Sequence, residues 1–124
     1  MEPEEHLRAL VRVLSEYRYP IGSESDFQAG VELVLQQHDI SFAREWDLGR
    51  EFGRIDFYLP QLCTGIELKV KGSPSEVARQ LYRYCQSPDV AAVVLLTGRH
   101  RLARMPKSMN GKPLMSVWLS WGQI

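Results

Sequence analysis

Three stretches of the chain carry apolar residues at helical spacing. Residues 4–17 and 23–37 each place them three or four positions apart, so that they fall on one face of a helix. Ser23 is a favourable N-cap for the second helix, and Tyr19-Pro20 separates that helix from the first. Residues 73–86 begin with a serine and a proline and predict a third helix.

Strand patterns occupy much of the remaining sequence. Apolar and polar residues alternate over residues 40–46, 54–59 and 65–70, which is typical of half-buried strands. Residues 90–96 are continuously apolar, as in a buried central strand, and residues 115–121 predict a final strand. The predicted order is α-α-β-β-β-α-β-β, which indicates an α/β domain with a mixed sheet between helices.

Length and composition narrow the class of protein. The 124 residues have room for one domain, and no apolar run approaches the roughly 20 residues of a membrane span. The acidic start is unlike that of a signal peptide, and Cys63 and Cys85 lack metal-ligand spacing. We therefore expect a cytoplasmic protein with reduced thiols and no membrane partner. The sequence contains no P-loop or dinucleotide fingerprint, so no nucleotide cofactor is expected.

The net charge of zero hides an uneven distribution. All fifteen acidic residues stand at or before Asp89, whereas five basic residues follow it without an acid. Those five are Arg99, Arg101, Arg104, Lys107 and Lys112. Such a basic stretch suits a polyanionic partner, although a solvated loop is the simpler interpretation.

Asp56, Glu67 and Lys69 are the residues whose spacing indicates chemistry. Residues two apart on a strand point to the same face, so Glu67 and Lys69 project together. Asp56 stands on the neighbouring strand of a predicted hairpin and can lie beside them. Charged residues that merely pair on the solvent face of a sheet are the alternative.

Two carboxylates converging with a lysine are suited to phosphodiester hydrolysis. Asp56 and Glu67 offer the hard oxygen ligands that Mg²⁺ prefers, and the backbone carbonyl of Leu68 is a plausible further ligand. Lys69 would position or help deprotonate the attacking water and offset charge on the phosphate oxygens.

Three short motifs stand in order along the chain: Gly53-Arg54-Ile55-Asp56, Ile66-Glu67-Leu68-Lys69 and Gln80-Leu81-Tyr82-Arg83-Tyr84. Together they resemble the G-x-x-D, E-x-K and Q-x-x-x-Y motifs of the PD-(D/E)XK nuclease superfamily, in particular its RecB-like and λ-exonuclease-like branches. The resemblance covers about residues 23–98 and implies a restriction-endonuclease-like αβββαβ core. The proline that often precedes the first acid is replaced by Ile55.

The resemblance assigns roles to individual residues. It implies that Asp56 and Glu67 bind metal, that Lys69 is the motif lysine, that Gln80 orients the site or contacts DNA, and that Tyr84 is the motif tyrosine. A helix whose glutamine is solvated and whose tyrosine packs in the core is the alternative for Gln80 and Tyr84. It also implies an extra acid from the helix before the sheet. Glu24 and Glu32 are the candidates for that acid, and we favour Glu24, since Glu24-x-x-x-Gln28 is similar to a motif of the VRR-NUC branch. The predicted DNA contacts are Lys71, Gln80, Tyr84, Arg99, Arg101 and Arg104.

The expected function is therefore a Mg²⁺-dependent deoxyribonuclease, with Mn²⁺ able to substitute. A chain this small lacks a separate domain for reading sequence, which favours structure-selective cutting of branches or junctions. Its size is compatible with a phage or mobile-element origin, and the cytoplasm would then be that of the infected host. The alternatives are a non-catalytic DNA-binding or assembly protein that keeps the nuclease fold, and an RNA-directed nuclease.

Cutting both strands of a four-way junction would require a two-fold dimer. The last predicted strand offers a surface, with Val117, Leu119 and Trp121 on one side and Trp118 on the other. The face with Trp118 would either bind a partner chain or be covered by the first helix. The tryptophans Trp46, Trp118 and Trp121 are interpreted as core or interface aromatics.

Overall fold

The computed structural model describes residues 2–119, in which three helices flank a six-stranded sheet. The helices are α1 (Pro3–Ser15), α2 (Glu24–Gln37) and α3 (Pro74–Cys85). The strands are β1 (Ala43–Asp47), β2 (Arg54–Leu59), β3 (Thr64–Lys69), β4 (Ala92–Thr97), β5 (Ser108–Met109) and β6 (Lys112–Trp118). A 3₁₀ turn, His100–Ala103, follows β4.

The sheet is mixed, as predicted, and its strand order is β1-β2-β3-β4-β6-β5. The strands β1, β2 and β3 form an antiparallel meander, whereas β4 pairs in parallel with both β3 and β6. The continuously apolar strand β4 is buried along its whole length. This burial follows from its place between two parallel neighbours, with helices on both faces of the sheet.

Each face of the sheet carries its own apolar cluster. One cluster joins the buried residues of α1 and α2 to Phe57, Ile66 and Val94. The other joins α3 to Ile55, Val93 and Leu95. Because neighbouring strand residues point to opposite faces, β4 contributes to both clusters in alternation. The prediction of a mixed sheet between helices is therefore confirmed.

Serine caps fix the starts of two helices. The Ser23 hydroxyl accepts a hydrogen bond from the Asp26 amide at 3.1 Å, and the Ser73 hydroxyl accepts one from the Glu76 amide at 3.2 Å. Each bond satisfies an amide that has no partner within its helix. Pro74 then occupies the first turn of α3, where its missing N–H costs nothing.

The edges of the sheet differ from the sequence prediction. β1 begins at Ala43 rather than at residue 40, and β6 begins at Lys112 rather than at residue 115. The extra length of β6 pairs with β5, a strand that was not predicted. Asn110 and Gly111 connect β5 to β6, and both have positive φ. An Asn-Gly pair is a characteristic turn of two-residue hairpins, so the signal was present in the sequence.

The last strand shows which of its faces the first helix covers, a question that the sequence left open. Val117 and Leu119 pack in the cluster that contains α1, so the first helix does not cover the face with Trp118. Trp118 remains 47% exposed and contacts the His100 ring edge-on. Trp46 is 42% exposed and stacks on Tyr58, so a core role is wrong for both tryptophans. Trp121 lies outside the described residues.

Within residues 2–119, no helix is long and apolar enough to cross a bilayer. Both cysteines are free thiols, with Cys63 exposed and Cys85 buried.

Candidate active site

The candidate site lies where β2 and β3 separate. Their antiparallel pairing runs from Leu59–Thr64 to Phe57–Ile66, and Asp56 and Glu67 are the next residues on the two strands. The Leu68 amide donates to Asp56 Oδ2 at 2.8 Å, and the Asp56 amide donates to Glu67 Oε1 at 3.2 Å. The two carboxylates therefore occupy the places of backbone carbonyls and bridge the strands.

Glu67 is the most enclosed acid of the site. It is only 3% exposed, and it lies on the face that packs against α3. The Tyr84 hydroxyl donates to Glu67 Oε2 at 3.1 Å, and Lys69 Nζ lies 3.5 Å from the same oxygen. As the alternation in β3 predicted, Glu67 and Lys69 project together.

Helix α3 supports the site through two residues one turn apart. The Gln80 amide nitrogen donates to the Tyr84 hydroxyl at 2.7 Å, and that hydroxyl also lies 2.8 Å from the Arg54 carbonyl oxygen. Tyr84 is 1% exposed. The predicted DNA contact by its side chain is therefore wrong, since a buried ring cannot reach a duplex, and the alternative of a tyrosine packed in the core holds. Tyr84 holds Glu67 instead.

Helix α2 supports the site from the opposite face of the sheet. The Gln28 amide nitrogen donates to Asp56 Oδ1 at 3.1 Å, and Arg44 donates to Gln28 Oε1 at 2.9 Å. Arg44 also forms an ion pair with Glu32, so the Glu32 carboxylate is engaged by Arg44 rather than by the site of Asp56 and Glu67. Glu24 is half-buried, and its charge contributes to raising the pKa of Asp56. The surroundings thus favour Glu24 over Glu32 as the additional acid.

Burial raises the pKa of both central carboxyl groups. Desolvation and the neighbouring charge of Asp56 raise the pKa of Glu67 to about 8, against the opposing effect of Lys69. Desolvation also raises the pKa of Asp56 to about 6, although the hydrogen bond from the Leu68 amide opposes this shift. In the absence of metal, the site therefore holds a proton on Glu67 more strongly than solvent would, and a bound cation would favour the ionised form.

The oxygen atoms of the site can accept a hard cation. Each of the four carboxylate oxygens accepts one hydrogen bond, from Gln28, Leu68, Asp56 or Tyr84, and keeps a free lone pair. The Leu68 amide faces Asp56, and in an extended strand the carbonyl of the same residue faces the same side. Over residues 2–119, no group of three or more His, Cys, Asp and Glu side chains converges on one point. Mg²⁺ needs only one or two carboxylates when water and phosphate complete its shell.

The predicted basic residues are divided between the two ends of the sheet. Arg99 Nε donates to the Val70 carbonyl oxygen at 3.0 Å, one residue beyond Lys69, so Arg99 lies at the end that carries the site. Lys71, Arg101 and Arg104 are exposed. Lys112 donates to the Ser87 carbonyl oxygen at the opposite end of β4. Lys112 therefore lies away from the site, unlike Arg99 of the same basic stretch.

Two residues that shape the site were not identified from the sequence. Arg44 links Gln28 to Glu32, and Glu45, which has a φ of 50°, contributes to raising the pKa of Asp56. Glu45 stands opposite Asp56, between the pairs Arg44–Phe57 and Trp46–Ile55. No sequence pattern predicts positive φ at a glutamate, and no spacing within β1 singles out Arg44.

No family model matches the chain, and no curated protein and no solved structure matches it.

Proposed function

We propose that the chain is a metal-dependent nuclease of the PD-(D/E)XK type that hydrolyses DNA phosphodiester bonds. The observation that carries the proposal is the break in pairing between β2 and β3. Asp56 and Glu67 fill this break, each bonded to the other strand, with the Lys69 ammonium 3.5 Å from Glu67. A surface ion pair on a regular ladder would leave the backbone bonds in place and the acids in water.

The arrangement of elements gives independent support. The segment from α2 to β4 runs α-β-β-β-α-β, with an antiparallel meander followed by a parallel strand. This is the order that the resemblance to the superfamily implies. The three motifs fall on β2, β3 and α3, and their side chains meet at one place through Glu67 and Tyr84.

In the proposed reaction, Asp56 and Glu67 are the cation ligands, with the Leu68 carbonyl and Glu24 as further candidates. A bound Mg²⁺ would supply Lewis-acid polarisation of the phosphate and lower the pKa of a coordinated water. Lys69 holds the attacking water and balances negative charge on the phosphate oxygens. Gln80 and Tyr84 keep the Glu67 carboxylate in place, and Gln28 does the same for Asp56.

The proposal is tested by incubating the full chain with linear, nicked, flap and four-way DNA in the presence of Mg²⁺, Mn²⁺ or EDTA. We expect cleavage with either ion and none with EDTA. Glu67→Gln should abolish cleavage, because it removes a ligand and keeps the shape. The matched control is Glu16→Gln, an exposed acid at the end of α1 that lies outside the site and should cleave normally. Failure to cut any substrate with either ion would leave the non-catalytic alternative.

The substrate panel also addresses structure selectivity and assembly. Preferential cutting of flap or four-way DNA over linear duplex would support a structure-selective endonuclease. Junction cutting further requires a dimer, and light scattering on the protein with a bound four-way junction measures it. A monomer mass in that complex would restrict the proposal to nicking or exonuclease activity.

A further inference from the structure

A second feature of α3 lies outside the catalytic set. Its outer face lines an open groove, whose lining also includes Lys69, Lys71 and Met109. Arg79, Tyr82 and Arg83 also line this groove. Tyr82 and Arg83 stand three and four positions after Arg79, so all three side chains leave the same side of the helix. The groove is thus continuous with the candidate active site at one end.

The groove is strongly basic. Its lining contains Lys69, Lys71, Arg79 and Arg83 against a single acid, Glu76. The ion pairs found over residues 2–119 are Arg8–Glu4, Arg44–Glu32 and Lys69–Glu67. Lys71, Arg79 and Arg83 therefore have no acidic partner within 4.0 Å in the described part of the chain. Such uncompensated charge on one face suits a polyanion.

An exposed aromatic ring stands among these cations. Tyr82 is 48% exposed, whereas the other tyrosine of the helix, Tyr84, is buried. An exposed ring that is flanked by guanidinium groups offers a surface on which an unpaired base can stack. A ring of this kind gains nothing from a fully paired duplex, because the faces of paired bases are covered by their neighbours.

From these observations we infer that the groove along α3 binds single-stranded nucleic acid, with Lys71, Arg79 and Arg83 on the phosphates and Tyr82 against a base. The inference deepens the proposed function and rests on it for the direction of the strand, which leads through Gln80 to Lys69. The substrate would then carry an unpaired arm beside the bond that is cut, as in a flap or a frayed end.

The test measures binding without cleavage. Fluorescence anisotropy of a short labelled single strand is recorded in EDTA with the full chain, beside an abasic oligonucleotide of equal length. The wild type should prefer the strand that carries bases. Tyr82→Ala should weaken its binding roughly 5- to 100-fold and remove the preference, because base stacking is lost. Tyr82→Phe keeps the ring and should retain the preference.

The cations are tested separately through the salt dependence of binding. Arg79→Gln and Arg83→Gln should each reduce the slope of log affinity against log salt by about 0.7. The control is Arg12→Gln, an exposed arginine on α1 that lies outside the groove, and its slope should equal that of the wild type.

Equal binding of the abasic and base-bearing strands, or wild-type affinity in Tyr82→Ala, would overturn the inference. Equally tight binding of a polyglutamate peptide would overturn it too, because the groove would then be a general polyanion site. The two proposals fail separately. Wild-type single-strand binding in Tyr82→Ala, together with intact cleavage, refutes only the single-strand site. Base-dependent binding without cleavage of any substrate refutes only the nuclease.

Discussion

The two edges of β3 differ in how they are paired. On the β4 side the parallel register is unbroken from Thr64 to Lys69. On the β2 side the antiparallel register extends only to Ile66, and beyond it the carboxylates of Asp56 and Glu67 make the contacts between strands. The β4 edge of the strand is therefore held by regular backbone hydrogen bonds. At the end of the β2 edge, titratable side chains make the contacts instead.

This difference shows where the chain gives up stability. Enclosing two acids side by side is unfavourable, and their raised pKa values express that cost. The continuous pairing with β4 holds β3 in place, so that the opposite edge can remain open. Local departures from favourable structure concentrate at functional sites. We therefore interpret the two enclosed acids at the interrupted edge of β3 as part of an active site.

The largest expected effect lies at the open edge. Lys69→Met keeps the length of the side chain but removes its charge, and cleavage should fall by about 10²- to 10⁴-fold. Single-turnover cleavage of the preferred DNA with the protein in excess measures this loss. Lys71→Met, two residues along and exposed, is the matched control and should alter substrate binding rather than the single-turnover rate. Comparable single-turnover losses in both variants would indicate a general charge effect and contradict a specific role of Lys69.

A substitution in the paired part of the hairpin between β2 and β3 should lower the stability of the fold rather than the rate of cleavage. A Cβ atom placed on Gly65 would lie 2.1 Å from Ile55 Cδ1, and Ile55 is fully buried and has little room to shift. Gly65→Ala should therefore lower the free energy of unfolding by about 1–3 kcal/mol. Ile55→Val removes the conflicting methyl group, so the double variant should recover part of that loss.

Urea denaturation of the two single variants and the double variant measures their coupling. Strictly additive losses would mean that the contact between Gly65 and Ile55 does not limit the packing.

The sequence predicted the paired regions better than the open one. The alternation in β2 and β3 and the serine caps of α2 and α3 specify elements through local contacts, and these elements formed as expected. The same alternation placed Glu67 beside Lys69. The opening at Asp56 and the contact between Tyr84 and Glu67 depend on how β1, α2 and α3 pack around the hairpin, and that packing involves residues far apart in the chain. Short edge elements such as β5 leave too few residues for a periodic pattern.

An effect of intermediate size is expected in the pH dependence of stability, which arises from Glu67 at the open edge of β3. The pKa of Glu67 rises from 4.5 to about 8 on folding, so the folded chain holds the extra proton between these values. The free energy of unfolding without metal should therefore fall as the pH rises through this window, by at most about 1.4 kcal/mol per pH unit for one proton. Urea denaturation in EDTA between pH 5 and pH 8 follows this slope.

Glu67→Gln should flatten the slope, most clearly above the pKa of about 6 that Asp56 has in the folded chain. The exposed acid Glu16 supplies the control, since Glu16→Gln should keep the wild-type slope. A stability that rises with pH in this range would show that Glu67 is already ionised in the metal-free protein.

The smallest expected effect concerns the two acids of α2. Glu24 is half-buried and its charge reaches Asp56, whereas Glu32 is engaged by Arg44. Glu24→Gln should weaken Mn²⁺ binding several-fold, by less than the roughly 10- to 100-fold that loss of a supporting residue can cost. Glu32→Gln should leave it unchanged, and calorimetric titration at constant pH compares the two variants. The Glu24 charge also helps to raise the pKa of Asp56. Its removal should lower that pKa, so that Asp56 ionises more easily and the loss of metal affinity is partly offset. A larger effect at Glu32 than at Glu24 would contradict the proposed geometry and would mean that the Arg44 pair opens when the cation binds.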